Sequence, residues 1–268
     1  MVVIGSVIVD MPVGVEIEPR LGTAKPLHRR NAVLGETPVT PPLISCLCVT
    51  RNRVAMLRRA VNCFLDQIYS PRELVVLYES DDSATRDYLA TLHEAQIRVI
   101  EVPVEPKLTL GALRNISVAA SRGEYVANWD DDDWHSPLRL AEQIEAICNS
   151  GKPSCLLTRW VIYDLVANQA YRSGPRLWEG SLVAKRDAII AYPEIAKGED
   201  KVVVDQLIVD DRVVGLDSPH LYVYVVHGSN TWETEHWQEN LLPYAEQLTP
   251  ESSQKVKVLL DQHMLQHG

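Results

Sequence analysis

The chain has 268 residues, 46% hydrophobic and 23% charged, which is enough to bury one sizeable core or a core with an appended subdomain. Its formal net charge of -10 and pI near 5.3 exclude a phosphate-backbone binder, since duplex binding needs a basic stripe and none is visible. No apolar run approaches the roughly 20 residues needed to span a bilayer, so neither a nucleic-acid partner nor a transmembrane segment is expected.

Residues 1–40 carry scattered Gly and Pro and close on "TPVTPP", which resists regular structure. They are expected to form an accessory arm and linker, a candidate for pairing with a second copy of the chain in a homo-oligomer. The opening "MVVIGSVIVD" lacks a basic n-region and a small-residue cleavage site, which argues against a signal peptide. The five cysteines, Cys46, Cys48, Cys63, Cys148 and Cys155, show no CxxC spacing and read as reduced core residues. A cytoplasmic setting, free or peripheral to a membrane, is the expectation.

From residue 41 the pattern changes. "LISCLCV" is an apolar run of strand length, and "VAMLRRAVNCFLDQI" places Val54, Leu57, Val61, Phe64, Leu65 and Ile68 at helical spacing. "ELVVLY" predicts a second strand, "SATRDYLATLHEA" a helix capped at Ser83, and "IRVIEVPV" a third strand. "TLGALRNISVAASRG" offers Thr109 as N-cap and Gly123 as stop, and "EYVANW" follows as a strand. Strand-helix units in series predict an α/β fold with a mostly parallel sheet and helices on both faces. Beyond it, Ser136 and Pro137 open a helix with Leu138, Leu140, Ile144 and Ile147 on one stripe. "SCLLTRWVIYDL" and "QAYRSG" read as a hairpin, "LYVYVVHG" as a late strand and "SQKVKVLLDQHMLQ" as a closing helix. The expected organisation is an arm and linker over 1–40, a domain over 41–245 divided near residue 135, and a C-terminal helix over 246–268.

The chemistry concentrates in "WDDDDW", where Asp130 to Asp133 follow the fourth strand. Adjacent carboxylates raise one another's pKa unless positive charge sits among them, so a cation or basic side chains are expected there. A hard divalent cation, Mn2+ or Mg2+, takes one or two carboxylates together with substrate phosphates; a solvated acidic loop or a capping run is the plainer alternative. Strand alternation would send neighbouring aspartates to opposite sides, so the four cannot all be ligands. After the first strand, "VTRNR" offers short polar groups and the forks of Arg51 and Arg53 to a phosphate. Neither GxGxxG nor a Walker loop occurs. Glu79 reads as an acceptor for a base imide or as an exposed loop acid, Glu199 and Asp200 as a helix-dipole pair or a general base, and His227 as a metal ligand or a structural histidine.

Taken in order over about residues 43 to 235, these segments resemble glycosyltransferase family 2 on the GT-A fold. "LISCLCVTRNRVAMLRRAVNCFLDQIY" is similar to its opening strand, turn and helix, "ELVVLYESDD" to its second strand, and "GALRNISVAASRGEYVANWDDDDWHSPLRL" to its Arg-Asn helix and DxD segment, with "GED" as the acidic pair near the acceptor. The resemblance implies a Rossmann-like, mostly parallel GT-A sheet, with a nucleotide-sugar half over about 41–135 and a mixed acceptor half over about 136–245. It implies that Thr50, Arg51 and Asn52 line the nucleotide pocket with Glu79 at the base. Arg114 would face the nucleotide side, Asp130 and Asp131 the ribose or sugar, Asp132 the metal, and His227 would be a further metal ligand. Asp200 would be the catalytic base of an inverting transfer from a nucleotide diphosphate sugar, uridine-linked, to the hydroxyl of a glycan or other acceptor. Two departures stand out: the family often has Asp where this chain has Tyr78 and Glu79, and four consecutive aspartates leave the DxD register open by one residue. Metal-dependent nucleotidyl transfer and a non-catalytic carbohydrate-binding module are the competing readings.

Overall fold

The structure is a computed structural model and describes residues 40–265; the N-terminal arm expected from the sequence lies outside them. Strands β1 (Ile44–Thr50), β2 (Arg72–Glu79) and β3 (Ile97–Val102) run parallel, linked by helices α1 (Val54–Leu65) and α2 (Ser83–Ala90). Ile44, Cys46, Cys48 and the run Leu74, Val75, Val76, Leu77 are all inaccessible to solvent, as strands covered on both faces require. Leu57, Val61 and Phe64 of α1 are buried with them, but Ile68 is 64% exposed. The Arg72 guanidinium donates to the carbonyls of Phe64, Leu65 and Tyr69 and closes the helix at Leu65, so the apolar stripe stops before Ile68. The cap of α2 is Asp82, which accepts from Thr85 N, one residue ahead of the expected Ser83.

Helix α3 (Leu110–Ala120) is capped by Thr109 as its sequence predicts, but ends three residues before Gly123. Gly123 instead lets the chain pass tight against the sheet, where a Cβ would come within 2.6 Å of Ser45 Oγ. Strand β4 (Tyr125–Asn128) then pairs parallel to β1 on the side away from β2. The strand order 3-2-1-4 reverses between β1 and β4, which is where open α/β sheets bind ligands.

After the short β5 (Trp134–His135), α4 (Arg139–Ser150) starts two residues later than the Ser136–Pro137 pair suggests. Then follow β6 (Ser154–Leu157), β7 (Val161–Asp164), β8 (Gln169–Arg172), β9 (Val183–Lys185), α5 (Glu199–Val209) and β10 (Val213–Leu216). The chain closes with β11 (Tyr222–Val226), α6 (Thr234–Asn240), β12 (Glu246–Gln247) and α7 (Pro250–Leu265). The main sheet has seven strands in the order β10-β6-β9-β4-β1-β2-β3, with β9 antiparallel to both of its neighbours. "SCLLTRWVIYDL" is therefore divided: β6 joins this sheet, and only β7 and β8 form the hairpin. That hairpin belongs to a second sheet, β12-β8-β7-β11-β5, which lays β11 beside the chain leaving the aspartate run. Helix α7 packs on α1, where Asn62 Nδ2 donates to the His263 carbonyl at 2.7 Å.

Candidate active site

Trp129 to Asp133 form a turn rather than the end of β4, so the alternation expected of a strand does not hold. Arg53 shows this directly: Nη1 lies 2.9 Å from Asp132 Oδ2 and 3.4 Å from Asp131 Oδ1, so these neighbours face one group. Thr50, at the end of β1, donates to Asp131 Oδ2 at 2.6 Å. Asp130 pairs with Arg114 Nη2 at 3.2 Å, and the same guanidinium bonds Glu199 Oε1 through Nε at 2.7 Å. The positive charge expected among the aspartates is thus supplied by Arg53 and Arg114. Asp133 accepts from the Tyr222 hydroxyl and from Val225 N at 3.0 Å, tying the run to β11.

These partners divide the four carboxyls electrostatically. Burial, reinforced by the charge on Asp132, lifts Asp131 to about 7 against the pull of Thr50 and Arg53. Burial also pushes Asp132 upward, but the hydrogen bond to His227 and the charge of Arg53 outweigh it, and its carboxyl sits below the ordinary value. Asp133 is raised well above that value by burial and by the charges of Asp132 and Asp130. Asp132 is the member of the run held most firmly as an anion.

Two cavities meet at this turn. One, of about 410 Å³, is lined by Thr50, Arg51, Glu79, Lys107 and Asp131. The other, of about 350 Å³, is lined by Asp130 to Asp133, Arg114, Glu199 and Asp200 together with Trp178, Trp232 and Trp237. Arg53 lines both. Asn52 lines neither: its backbone adopts a φ of 53° and its amide donates to Asp82 Oδ2 at 2.5 Å, so it shapes the turn. Glu79 is 2% exposed rather than a free loop acid, and its carboxylate is held between Arg51 Nη1 at 2.6 Å and Lys107 Nζ at 2.5 Å.

Glu199 and Asp200 open α5 directly after Gly198, whose φ of 75° admits the turn into the helix. The two acids differ sharply. Glu199 is buried against Arg114, whereas among the described residues Asp200 accepts one hydrogen bond, from Lys201 N at 2.8 Å, and faces the cavity. His227 Nε2 lies 3.2 Å from Asp132 Oδ2. Among the described residues no group of three or more acidic, His or Cys side chains is arranged to hold a metal alone. An ionised carboxylate facing an imidazole nitrogen nonetheless fits a hard cation whose remaining positions come from substrate phosphates and water. Asp132 and His227 would hold it.

Sequence reasoning passed over several residues that build this site. Arg139, fully buried, donates to His135 Nδ1 at 2.7 Å, to Gln143 Oε1 at 3.1 Å and to the Asn128 carbonyl at 2.9 Å, under Trp129 and Tyr222. Burial and the neighbouring Arg139 charge drive the His135 pKa well down, so that imidazole stays neutral and accepts. Lys107, Gly180 and Tyr222 were also missed; a lysine two residues before the Thr109 cap was the only local signal for any of them.

A family model described as glycosyl transferase family 2 matches residues 45–196. The chain belongs to glycosyl transferase family 2. Among family relatives, WcaA of Escherichia coli (strain K12), which carries a glycosyl transferase name, is 32% identical over 105 residues, 37% of this chain and 36% of that protein. The uncharacterized glycosyltransferase alr2836 of Nostoc sp. is 29% identical over 138 residues, 51% of this chain and 43% of that one. The matched stretches thus cover under half the length of these relatives. Among solved structures, S. aureus TarS 1-349 in complex with UDP-GlcNAc superposes with a TM-score of 0.55 at 16% identity, covering 83% of this chain and 66% of that one. The mannosyltransferase PcManGT of Pyrobaculum calidifontis, in complex with GDP-Man and Mn2+, gives 0.54 at 16% identity, covering 75% and 61%. These likenesses establish the GT-A fold, an α/β architecture with a mostly parallel central sheet, for this family member.

Proposed function

We propose that this chain transfers a sugar, with inversion, from a nucleoside diphosphate sugar to a hydroxyl of a glycan. The observation that supports the reading is the junction of the two cavities at Arg53 and Asp131: a slot that would take the nucleotide adjoins an acid-lined chamber that Asp200 also lines. Residues up to about 135 would handle the donor, and the later half the acceptor. Uridine suits the slot. Uracil presents acceptor, donor and acceptor along its edge, and Arg51, Glu79 and Lys107 present donor, acceptor and donor. These cations take three of the roughly four acceptor positions of the Glu79 carboxylate, leaving one for the imide N–H.

In this reading Asp200 accepts the proton of the acceptor hydroxyl as its oxygen attacks the anomeric carbon from the face opposite the diphosphate. Asp130, steadied by Arg114, holds a donor hydroxyl, and Arg114 is held in turn by Glu199. A divalent cation, when bound by Asp132 and His227, supplies charge that stabilises the departing diphosphate. The carboxyls are shared among Arg53, Arg114 and Tyr222, an arrangement that favours one cation locus over the two, about 3.5–4 Å apart, that nucleotidyl transfer wants.

The experiment is a panel of UDP-, GDP-, ADP- and CDP-sugars incubated with the protein and Mn2+, with every product identified. Free UDP together with transferred or hydrolysed sugar is expected. Pyrophosphate release would move the assignment to nucleotidyl transfer, and saturable binding without turnover of any donor would move it to a carbohydrate-binding module.

A further inference from the structure

Arg53 does more than line two cavities. Its Nη1 lies 2.9 Å from Asp132 Oδ2 and its Nη2 donates to the Ser229 carbonyl at 2.6 Å, so one side chain ties the turn after β1 to the aspartate run and to the segment after β11. Asp132 Oδ2 is also the oxygen that faces His227 Nε2, at 3.2 Å. A divalent cation held by Asp132 and His227 would compete with the Arg53 guanidinium for this carboxylate, because like charges brought to bonding distance of one oxygen repel each other. Arg59, by contrast, donates to the Asp132 backbone carbonyl from the buried side, which fixes the turn while the Asp132 carboxylate changes partners.

We propose that Arg53 is a displaceable internal cation. It holds Asp132 until a divalent cation takes that oxygen; the released guanidinium then turns to the diphosphate, whose oxygens suit its planar fork, and lets go of the Ser229 carbonyl. The diphosphate half of this inference rests on the proposed function, whereas the competition for Asp132 does not.

The test uses the full chain, with Mn2+ alone as the first probe. In Arg53→Met, Mn2+ without nucleotide should bind roughly tenfold tighter than in the wild type, because a competing charge is gone. The same variant should bind UDP in the presence of saturating Mn2+ about tenfold more weakly, because a charge-assisted contact to phosphate is gone. Amide exchange at residues 228–231 should also quicken in the ligand-free variant. Arg53→Gln keeps polarity and should show the same inversion if Arg53→Met folds poorly. Arg51→Met removes a cation that pairs with Glu79 and Asp81 rather than Asp132, and should leave the affinity for Mn2+ alone within about twofold. Unchanged or weaker Mn2+ binding in both Arg53 variants, or equal tightening in Arg51→Met, overturns the competition. Asp132→Ala separates the two failures: if it leaves Mn2+ binding intact, the metal assignment of the proposed function falls with it.

Discussion

The adjacent acids Glu199 and Asp200 should fail in opposite ways when neutralised. Glu199 is 2% exposed and bonds Arg114 Nε at 2.7 Å, and Arg114 is itself buried. Glu199→Ala leaves that guanidinium with Asp130, at 3.2 Å, as its remaining ion-pair partner among the described residues. Removing one partner of a buried ion pair costs about 3–5 kcal/mol. For a domain of this size a loss of 1 kcal/mol lowers Tm by roughly 2–4 °C, so a fall on the order of 10 °C is expected. Among the described residues Asp200 has no such partner; its carboxylate accepts the Lys201 amide at the start of α5. Asp200→Asn keeps that acceptor oxygen and should leave Tm within about 2 °C, since substitutions away from buried networks stay within about 0.5 kcal/mol. Its turnover should fall by about 10²–10⁴, the usual contribution of a general base. Differential scanning fluorimetry and a coupled assay for nucleoside diphosphate release read the two quantities on the same preparations. Asp200→Asn with wild-type turnover would remove it as the base, and Glu199→Ala with wild-type Tm would show that the Arg114 pairing carries no stability.

Two further outcomes follow from groups on either side of the sheet. Glu73 is buried at the opposite end of the strands, where it accepts from Ser45 Oγ at 2.6 Å and from Arg122 N at 2.7 Å and Nε at 2.8 Å. Burial would raise its pKa, but these donors outweigh it and the carboxyl is held below the ordinary value. Its contribution is therefore full above the unfolded pKa of about 4.3 and is lost as pH falls through the lower folded value. Urea midpoints for Glu73→Gln should lie below the wild type at pH 7 and converge with it as pH falls through the folded value; parallel curves would refute the assignment. Lys107→Met removes one of the two donors beside Glu79 and should weaken UDP binding by about tenfold, with CDP affected less, as calorimetry would measure. An equal loss for both nucleotides would mean that Lys107 does not read the base.

The parts of this fold that were legible in the sequence are those set by local pattern. Leu57, Val61 and Phe64 repeat at helical spacing and are buried, and Thr109 caps the helix its position announces. What stayed hidden depends on partners far apart in the chain. Arg114 and Glu199 are 85 residues apart, and Asp133 and Tyr222 are 89 apart, so no window of sequence contains both members of either pair. The end of α1 was misjudged for the same reason on a smaller scale: Arg72, seven residues beyond Leu65, claims the helix carbonyls. β9 and β10 are three and four residues long, too short for periodicity to register, and β9 reverses direction within a sheet whose first four strands are parallel.

Those distant pairings also bear on the cation proposed for the aspartate run. Asp130 and Glu199 share Arg114, and Asp131 and Asp132 share Arg53, so four carboxyls are matched by two guanidiniums. Asp131, lifted to about 7, is only partly ionised near neutrality, which lessens the excess of negative charge without leaving positive charge to spare. In the proposed reaction a nucleoside diphosphate sugar would bring further negative charge into that chamber, which Arg53 would meet by leaving Asp132. A divalent cation, held by Asp132 and His227, would supply the positive charge that both demands call for. Donor affinity should accordingly depend on Mn2+ more steeply in the wild type than in Asp132→Ala, where the carboxylate that both cations need is gone.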